Sequence, residues 1–297
     1  MLTSGPSWRG PGAPALDDDA YRRPNPARVY HLLSGGRDSF QLDRDFAQRL
    51  FDADNTIVSA SYINRDHSAL TARFFAELDF QQVLDLGCGY AYDWSKRHQR
   101  HEPPTLREVL PGASIVHVDI DPIVVGLAQS TMRCVHGNPS VLQADIQYMA
   151  EILAHPQVAP RFDLDRPIAV LLHDVLPWIA DDQAVTSALA VLREWLPPGS
   201  VLSITHASAD LALMPNAKAK LTALWAEEAA VAFRPRSRNA IQVLFGGWPL
   251  LDPGLVPTHR WHPEHPDTRA PEAHSGAYAG IARKPHLSIV KDPPCTS

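Results

Sequence analysis

Three aspartates, each at or near the end of an apolar run, are the residues of this sequence best placed to do chemistry. Asp85 precedes a turn that contains Gly87 and Gly89, Asp119 ends a second apolar run, and Asp145 ends a third. The carboxyl ends of parallel strands meet at one edge of a sheet, and glycines let a ligand approach bare backbone. The pattern therefore predicts the ligand-binding edge of an open α/β sheet.

Composition restricts the class of protein and its partners. The 297 residues carry a net charge of −6 and are 45% apolar and 20% charged, which is typical of a soluble globular protein. Because no block is dense in lysine or arginine, we expect no nucleic-acid partner. No segment approaches the length of a membrane span, and the N-terminus lacks the apolar stretch of a secretory signal, so we predict a cytoplasmic protein. The oligomeric state is left open.

The cysteines and one histidine trio could also carry chemistry. Three cysteines, far apart in the sequence, indicate reduced thiols rather than a disulfide framework or a zinc site. His259, His262 and His265 have metal-like spacing, but they fall in a proline-rich segment where no helix or strand would make the rings converge. We therefore predict no metal. Cys88, inside the glycine turn, is interpreted as a small space-filler.

Strand and helix patterns alternate after residue 79 and predict an α/β fold, a doubly wound, mostly parallel Rossmann-like sheet behind an N-terminal helical cap. The predicted strands span 82–86, 114–119, 140–144, 167–173 and 200–206, with helices near 122–133, 146–154 and 181–195. Apolar residues from Ile57 to Leu78 are spaced as one face of a long helix. Ala217–Ala232 is a further helical candidate, and Trp248–Leu251 and Ala277–Ala282 are candidate edge strands.

The chain divides into four predicted segments. Residues 1–22, rich in glycine and proline, are expected to be a disordered lead-in, and residues 23–78 form the helical cap. Residues 79–284 form the ligand-binding domain, and residues 285–297 are a frayed tail.

Two ligand classes use such a sheet edge, and the residues favour one of them. A dinucleotide fingerprint needs a third glycine, but Tyr92 stands at that position. Asp85 would repel a pyrophosphate and attract the sulfonium and ammonium of S-adenosylmethionine (SAM). Asp119 is placed to accept ribose hydroxyls and Asp145 to accept the adenine amino group. Singly, each aspartate suits a helix N-cap equally well, so the prediction of SAM depends on the ordered set.

Motifs between about Pro24 and Pro285 carry a resemblance to a known family. They are Pro24–Tyr30, Leu33–Phe40, Asp43–Arg44, Asn64–Arg65, Val83–Gly89, Val118–Pro122, Ala144–Asp145, Ser203–Asp210, Arg236–Arg238 and Asp252–Val256. In these motifs the chain resembles a bacterial family of SAM-dependent methyltransferases that was formerly a domain of unknown function.

The resemblance implies a class I methyltransferase fold with SAM as cofactor. The residues it implies for cofactor binding are Asp85, Gly87, Cys88, Gly89, Asp119, Ile120, Asp145, Ile146, Arg28, Tyr30, Gly35, Gly36 and Asp38. The Gly35–Asp38 loop would close over the cofactor, although on residues alone the two glycines suit an ordinary helix–helix turn.

The sequence departs from the family pattern at two places. Where the family carries Pro-Thr and then Asn and His after the glycine turn, this chain has Tyr90 and an insertion near 95–104 that we interpret as a surface loop. After the fourth strand, Leu171–Trp178 differs from the family's apolar run with a histidine near its end.

Three residues at the ends of strands four and five are the catalytic candidates: His173, Asp174 and His206. A base is needed only if the attacking atom must lose a proton. Structural alternatives are a neutral core histidine, a helix cap and a strand-end hydrogen bond, respectively. Trp94 and Trp178 suit either an apolar acceptor pocket or the core.

The sequence favours a methyltransferase acting on an O, N or C nucleophile of a small molecule. A non-catalytic protein that binds SAM or S-adenosylhomocysteine is the alternative, and a nicotinamide-dependent oxidoreductase is a third candidate with the same fold.

Overall fold

A computed structural model describes residues 8–15, 19–90, 104–136, 140–211, 216–261 and 274–286. Most of the predicted insertion at 95–104 lies outside the described residues, as do Tyr92, Trp94, His262, His265 and residues 287–297 of the predicted tail.

A seven-stranded sheet forms the centre of the fold, with strand order β3-β2-β1-β4-β5-β7-β6. The strands are β1 Gln82–Leu86, β2 Ser114–Asp119, β3 Val141–Gln143, β4 Ala169–His173, β5 Val201–Ala207, β6 Val256–Pro257 and β7 Ala277–Arg283. Strands β1 to β5 are parallel, and β7 runs antiparallel to both of its neighbours. The α/β, mostly parallel architecture and the five predicted parallel strands are confirmed, with bounds within two residues.

Ten α-helices are found among the described residues. They are α1 Asp19–Arg22, α2 Pro26–Leu33, α3 Gln41–Ala53, α4 Thr56–Glu77, α5 Leu106–Val109, α6 Pro122–His136, α7 Met149–Ala154, α8 Asp182–Trp195, α9 Ala217–Leu224 and α10 Arg238–Val243. Asp121 caps α6 by accepting from Ile123 N, and Asp181 caps α8 by accepting from Gln183 N. These carboxylates satisfy amide groups that the first helical turn leaves without intrahelical partners.

Of the two segments predicted as edge strands at the far side of the sheet, one forms a strand and the other does not. Ala277–Ala282 is part of β7, but Trp248–Leu251 contributes only an isolated antiparallel bridge, Leu250 to Ala282. Pro249 has no N–H to donate to a ladder, which disfavours a regular strand there. The edge strand is instead Val256–Pro257.

Part of the segment expected to be disordered pairs with the opposite edge of the sheet. Gly10 N donates to Gln143 O at 2.8 Å, and Gln143 N donates to Trp8 O at the same distance. Trp8 also packs against the cluster of Val125, Ala128 and Val141. The edge of β3 offers unpaired backbone groups that the lead-in satisfies, contrary to the disorder expected from its composition.

Helix α4 lies along the cap side of the sheet and buries a face that is more polar than the sequence predicts. The long helix itself is confirmed, but Tyr62 and Leu78 of its predicted apolar face are exposed. Its buried residues include Ser61, Asn64 and His67. Buried polar side chains need partners, so this face indicates a site rather than a simple core contact.

The described helices include none that is long and apolar enough to cross a membrane.

Candidate functional site

A cavity of about 830 Å³ opens at the carboxyl ends of β1, β2 and β4, under α2 and α4. Nine of the residues predicted to bind the cofactor line it: Asp85, Gly87, Cys88, Gly89, Asp119, Ile120, Asp145, Ile146 and Tyr30. His173 and Asp174 line the same cavity. A volume of this size is typical of a site for a cofactor or a small molecule.

The glycine turn after β1 presents bare backbone to the cavity. A β-carbon on Gly87 would lie 2.4 Å from Val175 Cγ2, whereas a β-carbon on Gly89 would meet no described atom within 4 Å. Gly87 N and Cys88 N both donate to Val118 O, which ties the turn to β2. The turn is therefore held in place while its Gly89 face stays open to a ligand.

Asp85 is oriented by a partner that the sequence analysis did not identify. It lies opposite His117 in the β1–β2 register, and its Oδ2 lies 2.8 Å from His117 Nδ1. A histidine facing a carboxylate across two adjacent parallel strands could have been found once the register was known. The hydrogen bond fixes the carboxylate at the base of the cavity.

Asp85, Cys88 and His117 form the one described group with potential metal-ligand atoms within 4.8 Å of one another. Burial raises the pKa of the Cys88 thiol well above its ordinary value, so the sulfur stays protonated, whereas metals bind the thiolate. Asp85 and His117 already hydrogen bond to each other. The group fits a hydrogen-bonded pair beside a buried thiol better than a metal site.

Asp119 links the glycine turn to the end of β2. Its Oδ2 accepts from Gly89 N at 2.8 Å, and its Oδ1 accepts from Asp121 N at 3.0 Å. Burial raises the pKa of Asp119 to about 6, although these two hydrogen bonds oppose the shift. Each carboxylate oxygen can accept a further hydrogen bond. The predicted role as acceptor of ribose hydroxyls is thus compatible with this geometry.

Asp145 caps a short turn and also faces the cavity. Its Oδ1 accepts from Gln147 N at 2.9 Å at the start of the 3₁₀ turn Ile146–Tyr148. Ile120, 47% exposed, and Ile146 line the cavity on the same side. Asp145 therefore acts as an N-cap, which is the structural alternative to ligand binding. A contact between Asp145 and an adenine amino group stays a prediction.

Arg28 does not line the cavity, and the role in cofactor binding that the family resemblance implies for it stays a prediction. It is 1% exposed, and its Nε donates to Asp43 Oδ2 at 2.8 Å. Its NH1 lies 4.0 Å from Asp121 Oδ2 in the β2–α6 turn. A buried guanidinium needs such carboxylate partners, so Arg28 joins the cap to the sheet.

The Gly35–Asp38 loop also lies away from the cavity wall. A β-carbon on Gly36 would lie 2.1 Å from His31 Nε2, and one on Gly35 would lie 2.5 Å from the Tyr62 hydroxyl. Asp38 Oδ2 lies 3.8 Å from His31 Nε2. The glycines accommodate neighbouring side chains, as the helix–helix turn alternative predicts. Gly36 and Asp38 lie next to His31, which does line the cavity.

His173 is held between two hydroxyl groups. Its Nδ1 lies 2.8 Å from Ser68 Oγ and its Nε2 lies 2.8 Å from Ser203 Oγ. Burial lowers the pKa of His173 to about 4, so the ring is neutral near pH 7. Because both nitrogens are engaged, the ring is better suited to positioning than to accepting a proton.

Asp174 lines the cavity, and part of its carboxyl group is buried. Its Oδ1 has no hydrogen-bond partner among the described residues. Its φ of 53° is rare for a residue with a side chain, and its backbone is held by Thr205 O and Trp178 Nε1. Burial raises the pKa of Asp174 to about 7, with the charge of Lys218 opposing the shift. Such a carboxyl group can accept a proton near neutral pH.

His206, the third catalytic candidate, does not reach the cavity. It is fully buried, and its Nδ1 lies 2.8 Å from Ala207 O. Its Nε2 lies 2.9 Å from NH1 of Arg236, which also donates to Leu176 O. Burial lowers the pKa of His206 to about 3. Its ring bonds the arginine instead of lining the cavity, and a catalytic role for His206 stays a prediction that this geometry does not support.

Two functional candidates on α4 were missed. Asn64 and Ser68 line the cavity one helical turn apart. Asn64 was noted only as part of a motif, and the period of α4 would have placed it beside Ser68.

Of the histidine trio, His259 contacts Ser275 Oγ through its Nδ1 at 2.5 Å. Trp178 lines the cavity and also packs against Trp225.

Comparisons with known proteins agree with this geometry. Residues 14–285 match the S-adenosyl methyltransferase family. A candidate methyltransferase from Thermobifida fusca YX, known from its crystal structure, is 30% identical with a TM-score of 0.78, over 92% of this chain and 98% of that one. A DUF574 family protein from Streptomyces avermitilis is 26% identical with a TM-score of 0.78, over 90% and 100%. No curated protein matches the chain.

The cavity fits SAM by its chemistry. Open backbone at Gly89, a fixed negative charge at Asp85 and acceptor oxygens at Asp119 suit a cationic nucleoside, and Ile120 and Ile146 supply an apolar surface. When bound, SAM supplies an electrophilic methyl group. The nicotinamide alternative finds no support in the family match. This chain belongs to the S-adenosyl methyltransferase family, and SAM is its cofactor.

Proposed function

We propose that the chain moves the methyl group of SAM to an O, N or C nucleophile of a small molecule held beside Asp174. The observation that carries this proposal is the position of Asp174, a carboxyl group at the end of β4 that lines the same cavity as the glycine turn and has a pKa raised by burial to about 7.

Different residues have different roles in the in-line displacement that transfers the methyl group. The cavity walls position the acceptor and exclude water, which accounts for much of the rate gain in such reactions. Asp174 takes the proton that an attacking O–H or N–H group must lose, and a pKa of about 7 suits this task near neutral pH. His173, fixed by Ser68 and Ser203, keeps the end of β4 in position.

The shape of the cavity supports an enzyme over a protein that only binds SAM or S-adenosylhomocysteine. Besides the residues of the glycine turn, Trp178, Ile179 and Val231 also line the cavity. A protein that only binds the cofactor would need no space for a second molecule. The net charge of −6 supports a small-molecule acceptor rather than a nucleic acid. The three widely spaced cysteines of the sequence support the cytoplasm as compartment.

The test is release of S-adenosylhomocysteine from SAM in the presence of pooled metabolites. Wild-type protein is expected to release it, and Asp174→Asn to reduce the rate by about 10²- to 10⁴-fold, the usual contribution of a general base. Affinity for S-adenosylhomocysteine should be retained. Asp165→Asn, an exposed site outside the cavity, is the matched control. Tight binding of SAM with no turnover from any pool would contradict an enzymatic role.

A further inference from the structure

We infer that Arg236 is a positioning residue for the methyl transfer, because its guanidinium fixes the cavity-lining segment that follows β4. This segment is Asp174–Ile179, and the residues of it that line the cavity are Asp174, Val175, Trp178 and Ile179. Arg236 itself does not line the cavity and is 6% exposed. The inference rests on the proposed function, and it adds a residue that acts through its neighbours rather than on the acceptor molecule.

The Arg236 guanidinium bridges the two ends of a tight turn in this segment. Its NH1 donates to Leu176 O at 3.0 Å, and its NH2 donates to Ile179 O at 3.0 Å. These carbonyls lie at the start and just after the end of a 3₁₀ turn. The backbone N–H of Arg234 donates to a carbonyl between them, Pro177 O, at 2.7 Å. One short stretch of chain around Arg236 therefore holds the backbone of the cavity wall.

The other contacts of the guanidinium fix its orientation. Its Nε donates to Asp182 Oδ1 at 2.9 Å, its NH2 lies 2.8 Å from the same oxygen, and its NH1 lies 2.9 Å from His206 Nε2. A guanidinium carries five N–H donors, and these contacts together with the two carbonyls use all of them. The planar group therefore has one orientation, which the ammonium group of a lysine would not reproduce.

His206 supplies one of the acceptors that orient the guanidinium. Its Nδ1 lies 2.8 Å from Ala207 O, a group that can only accept, so the ring proton lies on Nδ1. Burial lowers the pKa of His206 to about 3, so near pH 7 the ring is neutral and Nε2 keeps its lone pair. That lone pair accepts from Arg236 NH1. His206 is therefore a positioning residue that acts through Arg236.

The backbone of Arg236 is anchored to the sheet. Arg236 N donates to Ala207 O, at the end of β5, at 3.1 Å, and Ala209 N donates to Arg236 O at 2.9 Å. Strand β5 lies between β4 and β7, and every residue of it is buried. The guanidinium therefore links a buried strand of the sheet to the segment that lines the cavity.

The position of Asp174 depends on support from both sides along the chain. Its φ of 53° is unfavourable for a residue with a side chain. On the N-terminal side, His173 is held by two serine hydroxyl groups. On the C-terminal side, Trp178 Nε1 donates to Asp174 O at 2.8 Å, and Arg236 holds the carbonyls around Trp178. Loss of the Arg236 contacts should misplace the carboxyl group, and a shift of about 1 Å can reduce a rate by about 10²-fold.

The test changes the partner of the guanidinium and leaves the residues of the cavity unchanged. His206→Leu removes the acceptor of NH1, whereas His206→Gln offers an amide oxygen that can accept the same hydrogen bond. His206→Leu should reduce the release of S-adenosylhomocysteine from SAM with pooled metabolites by about tenfold, the effect of one hydrogen bond to a charged group. His206→Gln should restore the rate to within about threefold of the wild type.

A second variant tests the guanidinium directly. Arg236→Lys keeps the positive charge but loses the planar group that contacts both carbonyls, so the rate should again fall by about tenfold. This variant carries the same expectation if His206→Leu does not fold. Calorimetry should show an affinity for S-adenosylhomocysteine within about threefold of the wild type in every variant, because the displaced segment is on the acceptor side in the proposed mechanism.

Amide hydrogen exchange of the S-adenosylhomocysteine-bound protein separates local positioning from a general loss of stability. In His206→Leu and in Arg236→Lys, exchange should increase by about tenfold in peptides that cover Asp174–Ile179 and stay unchanged over the glycine turn. His206→Gln should show the smaller increase. His155→Leu is the matched control, because His155 is partly buried and lies outside the cavity. It should change neither the rate of release nor the exchange of the segment.

Unchanged rates in His206→Leu and Arg236→Lys would overturn the inference, and so would a His206→Gln protein no more active than His206→Leu. An increase in exchange spread over the whole chain would also overturn it, since that result indicates a structural role alone. A wild-type protein that releases no S-adenosylhomocysteine would contradict the proposed function, and the role of Arg236 in methyl transfer with it. Exchange of the segment does not depend on turnover, so the two failures are seen in different measurements.

Discussion

Ser68 Oγ on α4 lies 2.8 Å from His173 Nδ1 on β4, and this contact joins the helical cap to the catalytic edge of the sheet. The other ring nitrogen of His173 contacts Ser203 Oγ on β5. Ser68 and Ser203 together form a clamp on the His173 ring. The residue after His173 is Asp174, whose backbone has an unfavourable positive φ. Strain of this kind persists only where the surroundings over-determine the conformation, and here the clamp provides part of that support.

Removing the clamp should weaken catalysis more than cofactor binding. Ser68→Ala leaves one nitrogen of a buried ring without a partner, which should reduce the free energy of unfolding by about 1–3 kcal/mol. Turnover should fall several-fold while the affinity for S-adenosylhomocysteine stays within about twofold, because in the proposed mechanism His173 positions the acceptor side of the cavity. Chemical denaturation, steady-state rates and calorimetry measure the three quantities.

The control for this variant is Ser130→Ala, an exposed helical serine whose Oγ donates to Leu127 O. It should change none of the three quantities by a comparable amount. A Ser68→Ala protein with unchanged turnover would show that the clamp has no part in positioning the acceptor.

The glycine turn offers a test of the cofactor site. Gly89 has a φ of 54° and faces open cavity, so Gly89→Ala should cost about 1–2 kcal/mol of stability through its left-handed backbone. The added methyl group would occupy space that the cofactor needs, so affinity for S-adenosylhomocysteine should fall at least about tenfold, which is 1.4 kcal/mol.

Gly112→Ala is the control for the turn, since its β-carbon also meets no described atom within 4 Å but its backbone is not left-handed. Its affinity for S-adenosylhomocysteine should match that of the wild type. If Gly89→Ala binds as tightly as Gly112→Ala, the cofactor does not approach this backbone.

Arg28 provides a test that separates a structural role from ligand binding. Arg28→Met would leave Asp43 buried without its cationic partner, and loss of one partner of a buried pair costs about 3–5 kcal/mol. Thermal and chemical denaturation should show this loss. Arg44→Met, which removes an exposed arginine on α3, should cost less than about 1 kcal/mol.

The affinity of Arg28→Met for S-adenosylhomocysteine, measured where the variant is folded, should stay within a few-fold of the wild type. A loss of affinity of about 100-fold without a loss of stability would instead return Arg28 to the cofactor site assigned by family resemblance.

The sheet could be predicted well from the sequence because the signals for strands and for helix starts are local. Apolar runs such as Val83–Leu86 identify buried strands, and residues such as Asp121 mark helix starts whatever the rest of the chain does. The acids at the ends of β1, β2 and β3 all line the cavity because parallel strands end at one edge.

The sequence was less informative where a role depends on which way a side chain turns in the folded protein. His206 is at a strand end, as predicted, but its ring bonds Arg236, a residue 30 positions away. Arg28 belongs to a motif, yet its partner Asp43 lies on the next helix. Asn64 was overlooked because a polar residue within a helix is usually exposed, and only tertiary packing buries it.

The raised pKa of Asp174, about 7, predicts that stability falls as pH rises. In the unfolded chain the carboxyl group ionises near pH 3.9, so between about pH 4 and 7 the folded state holds more protons than the unfolded one. The free energy of unfolding therefore falls through this range. Asp119, with a pKa of about 6, changes the free energy of unfolding with the same sign. The contribution of Asp174 is therefore measured as the difference in the free energy of unfolding between wild type and Asp174→Asn. That variant should be more stable than the wild type at pH 8 by about 1–3 kcal/mol and equal to it near pH 4, as measured by urea denaturation.

The same pKa predicts the opposite effect of pH on turnover. In the proposed mechanism the ionised carboxylate of Asp174 is the proton acceptor, so turnover by the wild type should rise with pH through about 7. The residual activity of Asp174→Asn should lack this inflection, because an amide cannot take the proton. Initial rates from pH 4 to 8 measure the effect. A wild-type rate that is flat across pH 7, together with stability curves that stay parallel, would show that Asp174 does not titrate in this range and is not the base.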